Sequence, residues 1–256
     1  MFNFKITPIY SLTQSQIPNN FMTNRNILSF FTTISWLFLF LAIALTLTIS
    51  AQLRAQPPEP LPLPSTTSWR MSVAIETKIA KKLKTQLTLQ TRIDNEIQQY
   101  IDAVLGEWSL QYEPLKQLDL SAGLRYKMRT DKTDRIRQFA SIGYTYRIKP
   151  FNLKLRTRYQ TDFSTKQKAP EHTWRNRLLA EYTRKKIDWT AYSGAELFYS
   201  FNNEQSTISR YRLIAGASYK INKHHTLNAE YAYQRDVNVG IPQLTHIVST
   251  QYNIDF

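Results

Sequence analysis

From Trp69 to Phe256 the chain alternates apolar and polar residues with a period of two, in segments of roughly ten residues parted by short polar stretches. Trp69, Met71, Val73 and Ile75 share one face of the first segment, and Leu83, Leu87, Leu89 and Ile93 one face of the second. The most regular case is Leu118, Leu120, Ala122, Leu124, Tyr126 and Met128, with Ser121, Gly123, Arg125, Lys127 and Arg129 between them. The same alternation runs through residues 136–146, 151–163, 174–182, 189–199, 211–219, 227–233 and 248–256. Read as strands, these segments each keep one clean apolar face, because successive side chains point to opposite sides. Wound as a helix, a segment such as LDLSAGLRYKMR would carry charge on every face.

The lengths suit a membrane. A ten-residue strand rises about 33 Å and, tilted by about 45°, covers the hydrocarbon layer of an outer membrane. Connections alternate as well, short at Lys81-Lys82, Lys149-Pro150, Lys185-Lys186 and Asn222-Lys223, longer around Asp131, Lys166, Asn203 and Asn238. Short turns on one side and longer loops on the other are expected of an all-β, antiparallel transmembrane barrel. A soluble β-sandwich, the competing fold, would need a second apolar core face and shorter strands with more Gly/Pro turns.

The alternation marks eleven segments, whereas bacterial single-chain barrels have an even number of strands. Twelve strands are therefore expected, with ten as the next choice. The segment from Ile97 to Tyr112 is the weakest, because Glu107 interrupts its alternation. Counting back from Phe256 through alternate turns puts Trp69 at the outer rim.

The chain before the barrel reads as an address. Ile34 to Ala51 is apolar and uncharged, preceded by Thr23-Asn24-Arg25-Asn26 and followed by Gln52-Leu53-Arg54-Ala55-Gln56, the order of a secretory leader. Residues 1–55 are thus expected to be a signal peptide, starting at Met1 or Met22 and cut after Ala51 or Ala55. An uncleaved anchor is the alternative, since about 18 apolar residues nearly span a bilayer. Proline removes donors and fixes φ, so Pro57 to Pro64 places a Pro-rich periplasmic linker over residues 56–67, ahead of a barrel over 68–256.

Charge then changes the picture. Lys and Arg number 33 against 19 Asp and Glu, a net charge of +14, which suggests a polyanionic partner. The basic residues alternate with apolar ones and form no exposed patch, which argues against nucleic acid. They point into the lumen instead, because Arg or Lys on the lipid face costs about 2 to 4 kcal/mol at mid-membrane. The candidate ligand-binding ladder is Arg125, Arg129, Arg137, Arg156, Arg158, Arg175, Arg177, Arg210 and Arg212, with Arg92, Lys127, Arg135, Arg147 and Lys154 on the same parity. Glu76, Asp162, Glu181, Glu196 and Glu230 share that parity, so two readings stand: a lumen plugged by paired charge, or a surface that binds or conducts anions.

No catalytic residue, metal ligand or cofactor is nominated. Cysteine is absent, and His172, His224, His225 and His246 stand in no metal or hydrolase motif, reading as loop-end and turn residues. The expectation is non-enzymatic, with a lipid-acting barrel enzyme as a further alternative.

The opening Trp69 strand with its Lys81-Lys82 turn, the runs Gly123-Leu124-Arg125-Tyr126 and Leu155-Arg156-Thr157-Arg158-Tyr159, and the terminal aromatic strand carry a family resemblance. From about Trp69 to Phe256 the chain resembles the uncharacterised outer-membrane β-barrels known as domain of unknown function 2490. The resemblance implies location in a Gram-negative outer membrane and no chemistry. Partners expected on these grounds are outer-membrane lipid and the barrel-assembly machinery, which would read the strand ending at Phe256; a monomer and an anionic ligand complete the expectation.

Overall fold

The computed structural model describes residues 63–94, 101–130, 133–164, 169–183, 188–201 and 206–256. The expected signal peptide, most of the linker, and Asp131, Lys166, Lys185, Lys186 and Asn203 lie outside the described residues. Eleven strands are described: β1 (Ser65–Ala80), β2 (Leu83–Asp94), β3 (Ile101–Leu115), β4 (Leu118–Arg129), β5 (Arg135–Ile148), β6 (Phe151–Ser164), β7 (Glu171–Thr183), β8 (Trp189–Phe201), β9 (Ser206–Lys220), β10 (His225–Asp236) and β11 (Leu244–Asp255).

Each strand pairs antiparallel with its neighbour in sequence, and β1 closes the barrel against β11. That closing pair is parallel, running without a shift from Ser65↔Leu244 to Glu76↔Asp255. The strand count thus corrects the expectation of twelve or ten. In an up-and-down sheet with an odd number of strands, the first and last run the same way, so closure requires one parallel ladder. The even-number rule presumes that every ladder is antiparallel. Among the described strands, closure also leaves no unpaired edge.

Two consequences follow for the chain's course. Ser65 stands beside Leu244, at the end of the barrel where the longer loops lie, as counting back from Phe256 requires. Strand β1 also takes in Ser65, Thr66 and Thr67, which the sequence assigned to the linker, because β11 offers them backbone partners.

The doubtful segment is a full strand. On β3, Ala103, Leu105, Glu107, Ser109 and Gln111 face inward, while Val104, Trp108, Leu110 and Tyr112 face outward. Glu107 therefore keeps the phase, and its partner across the ladder is Arg125. The residue out of keeping is Leu105, buried on the inner face.

Outward faces are mainly apolar, with aromatics towards both ends. Tyr112, Tyr146, Phe151, Tyr182, Trp189 and Tyr219 stand exposed near the short turns, and Trp69, Tyr126, Phe163, Trp174 and Tyr231 nearer the loops. The two-residue turns at Lys81-Lys82 and Lys149-Pro150 are as expected, the latter with a cis peptide bond.

The inner face departs from simple polarity. Ile214, Ala232 and Ile247 form a buried apolar cluster inside the barrel, with Leu179 and Tyr192 packed against it. Inward glycines make room for such side chains. A Cβ on Gly216 would fall 2.5 Å from the Tyr192 ring, and one on Gly123 would fall 2.7 Å from Phe139. Large side chains therefore lie flat over neighbouring glycines and narrow the lumen.

Candidate functional site

Inside the barrel lies a polar cavity of about 610 Å³. Eleven arginines line it, including every member of the expected ladder except Arg129, against five carboxylates. Arg129 sits beyond the cavity at the end of β4, where its backbone N–H donates to Asp134 Oδ1 at 3.1 Å. Arg70, not foreseen in the ladder, lines the cavity from β1; it obeys the same alternation as the rest.

Most of this charge is tied up in pairs, some between register partners on neighbouring strands and some reaching diagonally or farther. Arg125 bonds Glu107 on β3. Arg137 grips Asp162 with both ends of its fork, at 2.8 and 3.0 Å. Arg210 bonds Asp236. Arg177 reaches past two strands to Glu230 at 3.0 Å, where the Tyr192 hydroxyl also donates.

The centre of the network is Glu196 on β8, whose side chain is wholly buried. Its Oε2 accepts from Arg175 Nη2 at 2.8 Å and from Arg212 Nη1 at 3.0 Å, and Arg156 stands at 3.9 Å. Arg212 passes the network on to Gln234 Oε1 at 2.6 Å. Phe198 lies beneath, its ring centroid 5.1 Å from Arg175, 5.4 Å from Arg210 and 5.2 Å from Arg212. An aromatic face attracts each of these cations and lets Arg175 and Arg212 share one carboxylate, with Arg210 held beside them by Asp236.

Pairing does not exhaust the arginines. Counting Glu196 and Asp236 with the five lining carboxylates still leaves a surplus of four positive charges around the cavity. Arg92 donates to Gln90 at 3.0 Å and Arg158 to Ser141 at 2.9 Å, both neutral acceptors. A smaller cavity of about 290 Å³ lies towards β2–β6 and includes Asp119, Gln111 and Phe139. The two cavities share Gln90, Glu107, Arg125, Arg156, Arg158 and Gln251.

Sequence reading found the arginines by parity and missed what orients them. Phe139 and Phe198 are apolar residues at inward positions, visible as breaks of phase in RQFAS and ELFYS. The histidines lie away from the cavity. His172, His225 and His246 share hydrogen bonds with Tyr159 (2.9 Å), Tyr252 (2.9 Å) and Tyr231 (2.6 Å), and His224 with the Asp255 carbonyl (2.7 Å). His225 begins β10, where a turn residue was expected.

A family model described as protein of unknown function, DUF2490, matches residues 67–244. The chain belongs to that family. The span common to DUF2490 reaches from β1 to the first residue of β11 and takes in the whole arginine ladder. No curated protein matches the sequence significantly. Among solved structures, in-vitro-folded OmpT, an outer-membrane protein of Vibrio cholerae in its trimer form, is similar at 10% identity. The match covers 66% of this chain and 82% of that chain, with a TM-score of 0.36. The DUF2490 description carries no chemistry, so a functional reading must come from the lumen itself.

Proposed function

We propose that this DUF2490 protein is an outer-membrane barrel whose basic, largely filled lumen binds small anions without forming a wide open channel. The outward apolar face with aromatics near both ends supports a bilayer setting, as does the leader-like stretch from Ile34 to Ala51. The observation that carries the ligand class is the surplus of four positive charges around a 610 Å³ cavity. Buried charge is costly unless compensated, and guanidinium forks bind carboxylate and phosphate oxygens in pairs. An anion entering the lumen would supply the missing negative charge.

A conducting, anion-selective lumen is the second reading. It is favoured by the six residues common to the two cavities, which bring one cavity up to the other.

Reconstitution into planar bilayers separates the readings. Protein extracted from outer membranes, and migrating differently heated and unheated, is expected to give no steady large conductance and to melt higher with added small anions. Stable anion-selective current steps would establish the second reading. Recovery in the soluble fraction, with identical migration before and after heating, would remove the membrane barrel altogether.

A further inference from the structure

Arg158, like Arg92, donates to a neutral group and to no carboxylate among the described residues. It is 8% exposed, and its Nε is fixed by Ser141 Oγ. Its guanidinium carbon lies 3.9 Å above the centre of the Phe139 ring. Phe139 in turn lies over Gly123, where a Cβ would also fall 2.4 Å from the Trp108 carbonyl. Glycine, phenyl and guanidinium thus form a stack that sets the plane of the fork. The two Nη groups have no carboxylate within ion-pair distance among the described residues.

Arg156, the next inward residue on β6, has only the distant contact with Glu196. Its neighbours are otherwise engaged, Arg125 by Glu107 and Arg175 by Glu196. Gln160, one inward position beyond Arg158, is 3% exposed and its Oε1 has no hydrogen-bond partner. Both Arg156 and Arg158 line the larger and the smaller cavity.

We propose that Arg156 and Arg158 form a binding site for a phosphate group, free or on a lipid headgroup, where the two lumen cavities meet. This rests on the anion-binding reading of the lumen. Two adjacent guanidiniums without close carboxylates match a doubly charged oxyanion better than a single carboxylate, and each fork can hold two oxygens. A monohydrogen phosphate also brings one hydroxyl donor, which the orphaned Gln160 oxygen can accept. Without a ligand, β6 holds the like charges of Arg156 and Arg158 at successive inward positions, as binding sites do at the expense of stability.

The test is calorimetric titration and thermal melting of the full chain in detergent, with inorganic phosphate and glycerol 3-phosphate as free probes. Mixed micelles containing phosphatidic acid, a phosphomonoester, present the lipid-borne group, with phosphatidylcholine micelles as the phosphodiester control. Arg158→Gln should weaken phosphate binding by about tenfold or more, given one lost charge-assisted pair. Without ligand it should melt no lower than the wild type, since it relieves repulsion. Arg158→Lys keeps the charge without the fork and should recover part of the affinity. Arg147→Gln, which removes the same charge at the short-turn end, should leave binding unchanged.

Loss of binding in Arg158→Gln with the free probes identifies a free phosphate ligand. The same loss seen only with lipid micelles identifies a headgroup. Unchanged phosphate affinity in the Arg156→Gln/Arg158→Gln double variant would overturn the site while leaving an anion-binding lumen intact. A wild type that binds no small anion would overturn the lumen reading itself.

Discussion

At the scale of single residues, the lumen works by geometry more than by composition. One carboxylate, Glu196, holds Arg175 and Arg212 and faces Arg156, while Phe198 supports the crowd from below. Removing one partner of a buried ion pair leaves an uncompensated charge and costs about 3 to 5 kcal/mol. Glu196→Gln is therefore expected to lower the unfolding free energy by about that amount, read from urea titration in lipid vesicles. A change under about 1 kcal/mol would mean that the three arginines find other partners. The alternation of polar residues located Glu196 and its arginines on the inner face. The register that makes Glu196 the meeting point of β7 and β9 is a property of the assembled sheet.

At the scale of the strand, the alternation itself is the organising element. Leu178 on β7 faces outward, 40% exposed, between Leu155 on β6 and Ala195 on β8. Leu178→Arg puts a charge on that face, at an expected cost of about 2 to 4 kcal/mol if lipid covers it. Equilibrium unfolding in vesicles measures this directly, and a neutral result would show that water reaches the outer face. Polar groups on the outer face are satisfied in place: Thr157 donates to Asn176 Oδ1 at 2.8 Å, and Trp174 Nε1 donates to Thr157. Strand β3 shows the limit of pattern reading. Inward Leu105 made Glu107 look like the intruder, because in a narrow barrel the inner face also contains packed apolar side chains.

At the scale of the whole molecule, the parallel closure of β1 on β11 is the distinguishing feature. It can be tested without background, since the chain has no cysteine. Ser72 pairs with Gln251 across the seam, and both face the lumen. A Ser72→Cys/Gln251→Cys variant is expected to cross-link with a short thiol-reactive spacer and to keep its folded migration. Failure to cross-link in a folded barrel would exclude the eleven-strand closure.

By itself, the sequence determined the strand period, the apolar outer face, the inward parity of the arginines and the rim at which β1 begins. Each follows from the two-residue repeat of an extended chain, which is local and needs no partner. Tertiary structure alone decided the number of strands, the parallel seam, the pairing of each arginine and the stacks of Phe139 on Gly123 and Tyr192 on Gly216. Those depend on which residues stand opposite one another once the sheet has closed, and closure is a property of the whole ring.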